Sequence, residues 1–469
     1  MIGPWQNRPG PLYRRLSLAL TDAILDGRLV PGDRLPSHRL LADGLGLSRS
    51  TAVRACEELQ ESGLLSAHAR SGNYVQLPEG SRTKPGPWLP AAGPLSRPID
   101  LSKATTRADD DVVAVLGRAA GDVAALKDRD GYDVLGIAEL REAVARRFTR
   151  RGLPTSAEQV LITSGAQHGI DLVTRLLVHA GEPVLVESPA YAGLLDRLRQ
   201  ARADLTGLDI SETAWDVERF ADTARRTRAR IAFLTPDFHN PTGRLMAQPL
   251  REEFAEAAAR ERITLVVDET NAELALDDDF AMPAPLAAVS SAQGAITVGS
   301  LSKCVWAGLR IGWVRAEPTT IQLLANLKVT STLSTPLLEQ LAATRLLEDD
   351  ALDRFLRGRR PHLARRRELV LRTALDLGFT PTRPVGGLSS WAMLPAGSSS
   401  EFARTALQRQ LLLLPGTRLS PHGVLDRFIR LPYSLPDEEL RTACATLELA
   451  WRSYAGSRHG PAGYPDPVV

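Results

Sequence analysis

At 469 residues with 43% apolar side chains, the chain is long enough for two or more domains with buried cores. Its formal charge of +2 supplies no protein-wide basic field, so any nucleic-acid contact must be local. Cys56, Cys304 and Cys444 form no CxxC pair and no metal spacing, which argues against a disulfide scaffold or a metal site and fits a reducing cytosol. The N-terminus MIGPWQNRPG lacks an apolar signal core and no apolar run reaches the length of a membrane span, so the expected location is the cytoplasm, with no membrane partner.

Residues 12–29 carry Leu12, Leu16, Leu20 and Ile24 at helical spacing. Pro31-Gly32 is a turn. Ser37 caps a short helix, His38–Asp43, and Gly44–Leu47 is a tight connection. Ser48 caps a second helix reaching about Ser62, with Val53, Cys56 and Leu59 as its inner face. Two extended segments, Leu64–Ala67 and Asn73–Leu77, flank a polar turn. Helix, short helix, turn, helix and two-stranded wing outline a winged helix-turn-helix. Ser48, Arg49, Ser50 and Thr51 open the second helix of the pair, where recognition helices meet base edges and phosphates, and Arg54 follows one turn later. Arg70 sits in the wing turn. Nine basic against seven acidic residues over 1–77 do not by themselves separate a DNA reader from a small helical cap.

The segments LPSHRLLADGLGLSRSTAVRACEEL and GNYV resemble the GntR-type winged helix. That resemblance implies binding of double-stranded operator DNA through residues 1–77, with Ser37, Arg39, Ser48, Arg49, Ser50, Thr51, Arg54 and Arg70 at the interface.

Residues 78–98 hold six prolines and three glycines. Proline at this density gives an extended, semi-rigid spacer, so 78–100 is assigned as a linker.

Beyond about residue 135 the pattern alternates. Amphipathic helices (Ile137–Arg150, Ala166–His179, Pro249–Glu261) are interleaved with short apolar runs. The runs are Val160–Thr163, Val184–Glu187, Ile231–Thr235, Ile263–Asp268, Ala295–Ser300 and Leu309–Val314. This is an α/β protein with a mostly parallel sheet. Ligands of such sheets sit beyond the carboxyl ends of the strands. Ser164-Gly165-Ala166-Gln167, Asn240 in HNPTG, Asp268, and Ser300 with Lys303 all fall there. The small-residue turn at 164–167 opens a helix, a place where backbone N–H groups hold phosphate.

The chain has only five lysines, at 84, 103, 127, 303 and 328. Lys303 lies in GSLSKCVWAGLRIG, with Ser300 three residues before it and Arg310 seven after. An amine for an imine, with a hydroxyl and a guanidinium for a phosphate, are the parts that hold a phosphorylated aldehyde.

In order, Tyr132, Ser164–Gln167, Tyr191, Asn240–Gly243, Asp268, Ser300–Lys303 and Arg310 resemble a fold-type I pyridoxal-phosphate domain of the aspartate aminotransferase superfamily. Head and body together resemble the MocR subfamily of GntR regulators. The resemblance implies a large domain at 101–335 and an α+β small domain at 336–455, followed by a disordered tail at 456–469. It implies pyridoxal 5'-phosphate in a Schiff base with Lys303, and Asp268 on the pyridine nitrogen, keeping it protonated. Asn240 goes to the phenolic oxygen and Tyr191 to the ring face. Ala166 and Gln167 N–H, Ser300 and Arg310 go to the phosphate. Tyr132 reaches the partner's phosphate in a homodimer, in which the head of one chain lies over the body of the other. Arg430 in RFIRLPYS matches the carboxylate-binding arginine, whose fork suits an amino-acid effector.

Two residues after the pyridine aspartate, where these regulators carry tyrosine, stands Thr270, while HNPTG keeps the asparagine of true aminotransferases. Three readings stay open. One is a regulator sensing an amino acid or amine through an external aldimine. Another is a regulator sensing pyridoxal phosphate itself. The third is an active aminotransferase with an accessory DNA-binding head.

Overall fold

The computed structural model describes residues 5–7, 10–26, 28–29, 31–68, 72–76, 98–128, 130–212, 214–277, 281–348 and 350–458. Arg70, all of the linker before Pro98, and the tail beyond Arg458 lie outside them.

The head is built from α1 (Leu12–Leu25), α2 (His38–Leu45), α3 (Arg49–Glu61), β1 (Leu65–His68) and β2 (Gly72–Val75). Leu16, Leu20 and Ile24 of α1 close on Ala52, Cys56 and Leu59 of α3. Ser37 and Ser48 cap α2 and α3 through the Leu40 and Thr51 N–H groups, and left-handed Gly46 ends α2. The wing gains a third edge that the sequence pattern did not indicate. Leu35 N–H bonds to Asn73 O and Val75 N–H to Asp33 O, so residues 32–35 run beside β2.

The body begins with β3 (Ile99–Asp100), α4 (Asp110–Asp122) and α5 (Ala138–Arg150). It continues through β4 (Val160–Thr163), α6 (Ala166–Leu177), β5 (Pro183–Ser188), α7 (Ala192–Gln200), β6 (Asp204–Asp209), α8 (Val217–Thr227), β7 (Ile231–Leu234), α9 (Gln248–Arg260), β8 (Thr264–Asp268), β9 (Ile296–Ser300) and β10 (Gly312–Arg315). The seven strands order as β4-β10-β9-β8-β7-β5-β6. Only β10 runs antiparallel to its neighbours. Successive side chains feed opposite cores. Leu185, Ala232, Leu234, Leu265 and Val267 face one, and Val184, Val186, Ile231, Phe233 and Val266 face the other. That is why these strands read as unbroken apolar runs.

The chain then forms α10 (Pro318–Val329), α11 (Leu337–Leu347) and the long α12 (Ala351–Asp376). A second layer follows, of β11 (Thr380–Pro381), β12 (Ser389–Met393), α13 (Ser399–Gln408), β13 (Leu411–Leu412), β14 (Leu414–Pro415), β15 (Phe428–Pro432) and α14 (Asp437–Arg458). Its sheet order is β11-β12-β15-β14. α11 packs on α4 and α5, so the passage to the second layer falls in α12. Several boundaries differ from expectation, among them the small domain's, which begins in α12 and not at residue 336. Residues 99–100, assigned to the linker, form a strand parallel to β13. The tail assigned from 456 begins as helix, because α14 runs on to Arg458. The expected strand at Leu309–Val314 starts only at Gly312, because a 3-10 turn and a left-handed Arg310 precede it.

The head rests on the body of its own chain, with Leu425 N–H bonded to Leu25 O at 2.7 Å. No helix among the described residues is long and apolar enough to cross a membrane.

Candidate functional site

The site lies where the carboxyl ends of β5, β7, β8 and β9 meet the second layer. Its floor is Asp268, the last residue of β8. Thr270 donates its N–H to Asp268 Oδ1 at 2.8 Å and its hydroxyl to the same oxygen. Burial pushes the Asp268 carboxyl up, opposed by those two bonds and by the positive charge of Lys303. Nearby, Glu187 ends β5's apolar run and takes Trp215 Nε1 at 2.6 Å and Thr235 N–H at 2.9 Å. The oxygen that accepts the Thr235 N–H, Oε2, also lies 3.2 Å from Nε2 of His239, the first residue of HNPTG.

Lys303 follows β9 in a tight turn closed by Val305 N–H to Leu301 O at 2.9 Å. Its Nζ donates to Ala104 O at 2.8 Å. Burial first, then the neighbouring Arg430, pull its pKa down to about 8, with Asp268 opposing. About a tenth of such an amine is neutral at pH 7, against roughly one part in three thousand for an ordinary lysine. Lys328 is also depressed to about 8 by burial. It is turned elsewhere, onto Val134 O and Ile162 O.

Beyond β4, the backbone at Gly165 is left-handed (φ 83°) and starts α6. The first N–H groups of a helix, here Ala166 and Gln167, have no partner within it. Arg310 Nη2 reaches Ser164 O at 2.7 Å, which lays the guanidinium over the turn. A Cβ at Gly165 would come within 2.9 Å of Arg310 Cζ, and one at Gly312 within 2.6 Å of the Gly165 carbonyl carbon. Only glycine leaves this cradle open. Ser300 hydroxyl donates to Ile311 O at 2.8 Å and accepts Ser302 N–H at 3.1 Å, so it braces the lysine loop. Its hydroxyl proton is therefore committed within the protein.

From the second layer comes Arg430, in the middle of β15 opposite Trp391. It is buried, and its Nη1 bonds Asn240 Oδ1 at 3.3 Å while Nη2 bonds Ser102 O. Its Nε has no partner, and the guanidinium forms no ion pair among the described residues. Burial brings its pKa down to about 10. Its hydrogen-bond acceptors are neutral and the charge of Asp100 supports it only from beyond ion-pair contact, so the buried cation has room for an anion.

The fold brings Lys303, Asp268, Asn240, Tyr191, the 164–167 turn, Arg310 and Arg430 into one site. Tyr191 caps α7, with Gly193 so close to its ring that a Cβ would meet Cε1 at 2.7 Å. Gln167 Nε2 ties to Gly193 O at 3.2 Å, joining the phosphate turn to the aromatic wall. Tyr132 is 65% exposed and so stands out in solvent on its own chain. The segment 99–106 was missed by the sequence reading. Ser102 O and Ala104 O cover Arg430 and Lys303, and Thr106 hydroxyl bonds Val305 O at 2.9 Å. The alternation of Ile99-Asp100-Leu101-Ser102 directly after the prolines was the available signal.

In the head, Ser48, Arg49 and Ser50 are exposed at the start of α3. Ser48 hydroxyl is shared with Ser50 at 2.9 Å and Thr51 at 2.7 Å, so these three form a cap cluster. Arg39 is 85% exposed and 3.8 Å from Asp43. Arg54 lies 4.0 Å over the Tyr13 ring, which fixes it to α1.

The family model for aminotransferase class I and II matches residues 99–447, and that for bacterial regulatory proteins of the gntR family matches residues 12–75. A 2-aminoadipate transaminase of Thermus thermophilus is 31% identical over 304 residues, 63% of this chain and 76% of that enzyme. YdfD of Bacillus subtilis, an uncharacterised HTH-type transcriptional regulator, is 27% identical over 450 residues, 90% of this chain and 92% of the regulator. The solved structure of LysN, α-aminoadipate aminotransferase from Thermus thermophilus, complexed with N-(5'-phosphopyridoxyl)-L-leucine, matches with a TM-score of 0.69 at 26% identity, over 77% of this chain and 94% of that one. The open glycine cradle under Arg310, the carboxylate of Asp268 and the depressed amine of Lys303 fit the cofactor of that fold, pyridoxal 5'-phosphate. The chain belongs to the aminotransferase class I and II family and joins it to a gntR-family DNA-binding head, the MocR-type architecture of a transcriptional regulator.

Proposed function

We propose that the body holds pyridoxal phosphate and senses an amino acid, and that the head reports its binding to operator DNA. The observation that carries this reading is Arg430, a buried guanidinium with an unpartnered Nε and no carboxylate in ion-pair contact among the described residues, beside an amine depressed to about 8. A carboxylate supplies the missing anion, and its two oxygens match the fork. Pyridoxal phosphate supplies an aldehyde that condenses with a primary amine. Ala166 and Gln167 N–H and Arg310 would hold its phosphate, Asp268 would pair with the ring nitrogen, Asn240 with the phenolic oxygen and Tyr191 with the ring. Lys303 offers the resident amine. Arg430 exchanges Ser102 O for the carboxylate of the arriving ligand. Exposed Tyr132 completes the site of a second copy in a homodimer.

An effector shifts the head only through different affinity for two arrangements of the protein. The test is an absorption titration of the cofactor-loaded full chain with a panel of amino acids, in the native protein and in Lys303→Ala and Arg430→Gln. A spectral change that needs both residues supports the reading, and an unresponsive spectrum across the panel opposes it. Rapid transfer of the amino group to an oxo acid would favour a working transaminase. The intact set of Lys303, Asp268 and Asn240 also suits that second reading.

A further inference from the structure

Behind the site runs a buried row of alternating charges that the ligand-facing residues do not account for. Asp237 stands three residues before Asn240, and Glu269 follows Asp268 directly. Both carboxylates are buried. Arg151, which closes α5, reaches both: Nη1 lies 2.6 Å from Glu269 Oε2, and Nη2 lies 3.1 Å from Asp237 Oδ2. Arg251 of α9, also buried, holds the other Asp237 oxygen through Nη2. Its Nε and Nη1 donate to Met246 O and Ala284 O, each at 2.9 Å. Asn271 Nδ2 adds a bond to Phe238 O at 2.9 Å. The loop after β7, which carries Asn240, and the end of β8, which carries Asp268, are therefore tied to each other and to α5.

Burial pushes the Glu269 carboxyl up, Arg151 pulls it down, and the charge of Asp237 pushes it up again. Two carboxylates that repel each other thus share one guanidinium, whose planar fork fixes the angle and distance between them. A fully bonded network of this kind rigidifies what it joins, and loss of one member leaves an unmatched buried charge. Arg147, one turn earlier on α5, offers a comparison. It reaches Glu273 at 2.5 Å and Asp353 at 2.8 Å, and neither residue adjoins Asp268 or Asn240. Arg147 fastens α5 to α12, whereas Arg151 fastens it to the two segments that carry the ring's partners.

We propose that Arg151 is a positioning residue for the cofactor: by holding Glu269 and Asp237 on one guanidinium, it sets the spacing between Asp268 and Asn240. A pyridine ring is rigid, so its nitrogen and its phenolic oxygen meet both groups only at one separation. Arg151 acts through the neighbours of those groups, since its side chain bonds to Glu269 and Asp237. The inference rests on the assignment of Asp268 and Asn240 to the cofactor and is independent of the amino-acid reading.

Three measurements on the full chain test this: pyridoxal-phosphate affinity by absorption titration, the pH midpoint at which the visible band of the bound cofactor titrates, and the melting temperature. The native protein is compared with Arg151→Gln, Arg151→Lys, Arg147→Gln and Asn240→Ala. Asn240→Ala removes the phenolic partner itself and calibrates the shift of the pH midpoint. Arg151→Gln is expected to bind the cofactor about tenfold or more weakly and to move the midpoint by about half a unit or more. Arg151→Lys keeps the charge but not the fork. It is expected to melt close to the native chain and still to move the midpoint, and it decides the question if Arg151→Gln does not fold. Arg147→Gln is expected to lower the melting temperature while leaving cofactor affinity and the midpoint at their native values. A native midpoint in the Arg151 variants, or an equal shift in Arg147→Gln, overturns the role of Arg151 and leaves the ring's partners standing. A midpoint unmoved in Asn240→Ala overturns the assignment of the ring to that residue, and the inference with it.

Discussion

Thr270 spends both of its donors on a single oxygen of Asp268. Regulators of this architecture are expected to place a tyrosine there, aimed at the cofactor's phenolic oxygen. Here the shorter side chain turns back and fixes the carboxylate proposed to face the ring nitrogen. Its hydroxyl is thereby committed, which leaves Asn240 as the proposed partner of the phenolic oxygen.

This makes Thr270 a positioning residue with a measurable role. A hydrogen bond to a charged group is worth about 1.5–3 kcal/mol. Thr270→Val keeps the shape and the backbone N–H but loses the hydroxyl. Pyridoxal-phosphate affinity, followed by absorption or fluorescence titration, is expected to fall about tenfold. Thr270→Ser is expected to restore it.

The lysine makes a prediction in pH. Only the neutral amine attacks an aldehyde, and Lys303 loses its proton near pH 8, not near 10.5. The rate of cofactor capture should therefore rise through about pH 8 and level off above it. An ordinary lysine would keep gaining for two further units or so. Arg430 is one of the charges holding this pKa down, so Arg430→Gln should move the midpoint upward. Stopped-flow absorbance from about pH 6.5 to about 9.5 measures both (a range chosen to span about 1.5 units either side of the midpoint).

Arg430→Gln should also separate the two ligands. Losing a buried charge partner costs about 2–5 kcal/mol of binding, so amino-acid affinity should drop about thirtyfold or more. Cofactor affinity should stay within about threefold, because the phosphate cradle is on the other layer. The melting temperature without ligands should change little, since the guanidinium has no contacting carboxylate to lose among the described residues.

Gly165 and Gly44 form a matched pair. An alanine at Gly165 is strained by its positive φ and crowds Arg310, whereas nothing lies within 4 Å of a Cβ at Gly44. Gly165→Ala is expected to weaken cofactor binding about tenfold or more, with little change in the head. Gly44→Ala should leave binding alone and stabilise α2 by about 0.5–1 kcal/mol. Titration and thermal melts of the two variants check the contrast.

Much of this arrangement was legible in the sequence. β4 matched its expected limits because Val160, Leu161 and Ile162 are buried on alternate faces and leave no polar interruption. Several motif positions converged because Asp268 and Ser300 end parallel strands and Ala166 and Gln167 open a helix. β6 was missed because it is an edge strand, DLTGLD, pairing only with β5 and needing few apolar side chains. The cover over Lys303 and Arg430 was missed for a different reason. It acts through the backbone carbonyls of Ser102 and Ala104, which leave no mark on residue type. Thr270 was legible as a departure, but its partner is two residues away and appears only once the turn after β8 is built.

The central claim is that one site reads an amino acid and the head reports it. The direct measurement is the affinity of the cofactor-loaded full chain for the duplex upstream of its own gene, at fixed salt, with and without the amino acid that moves the cofactor spectrum. The account predicts a change of about fivefold or more, the usual scale of coupling between two sites, and its loss in Arg430→Gln. Equal affinity in both conditions, with the spectrum fully shifted, would contradict it.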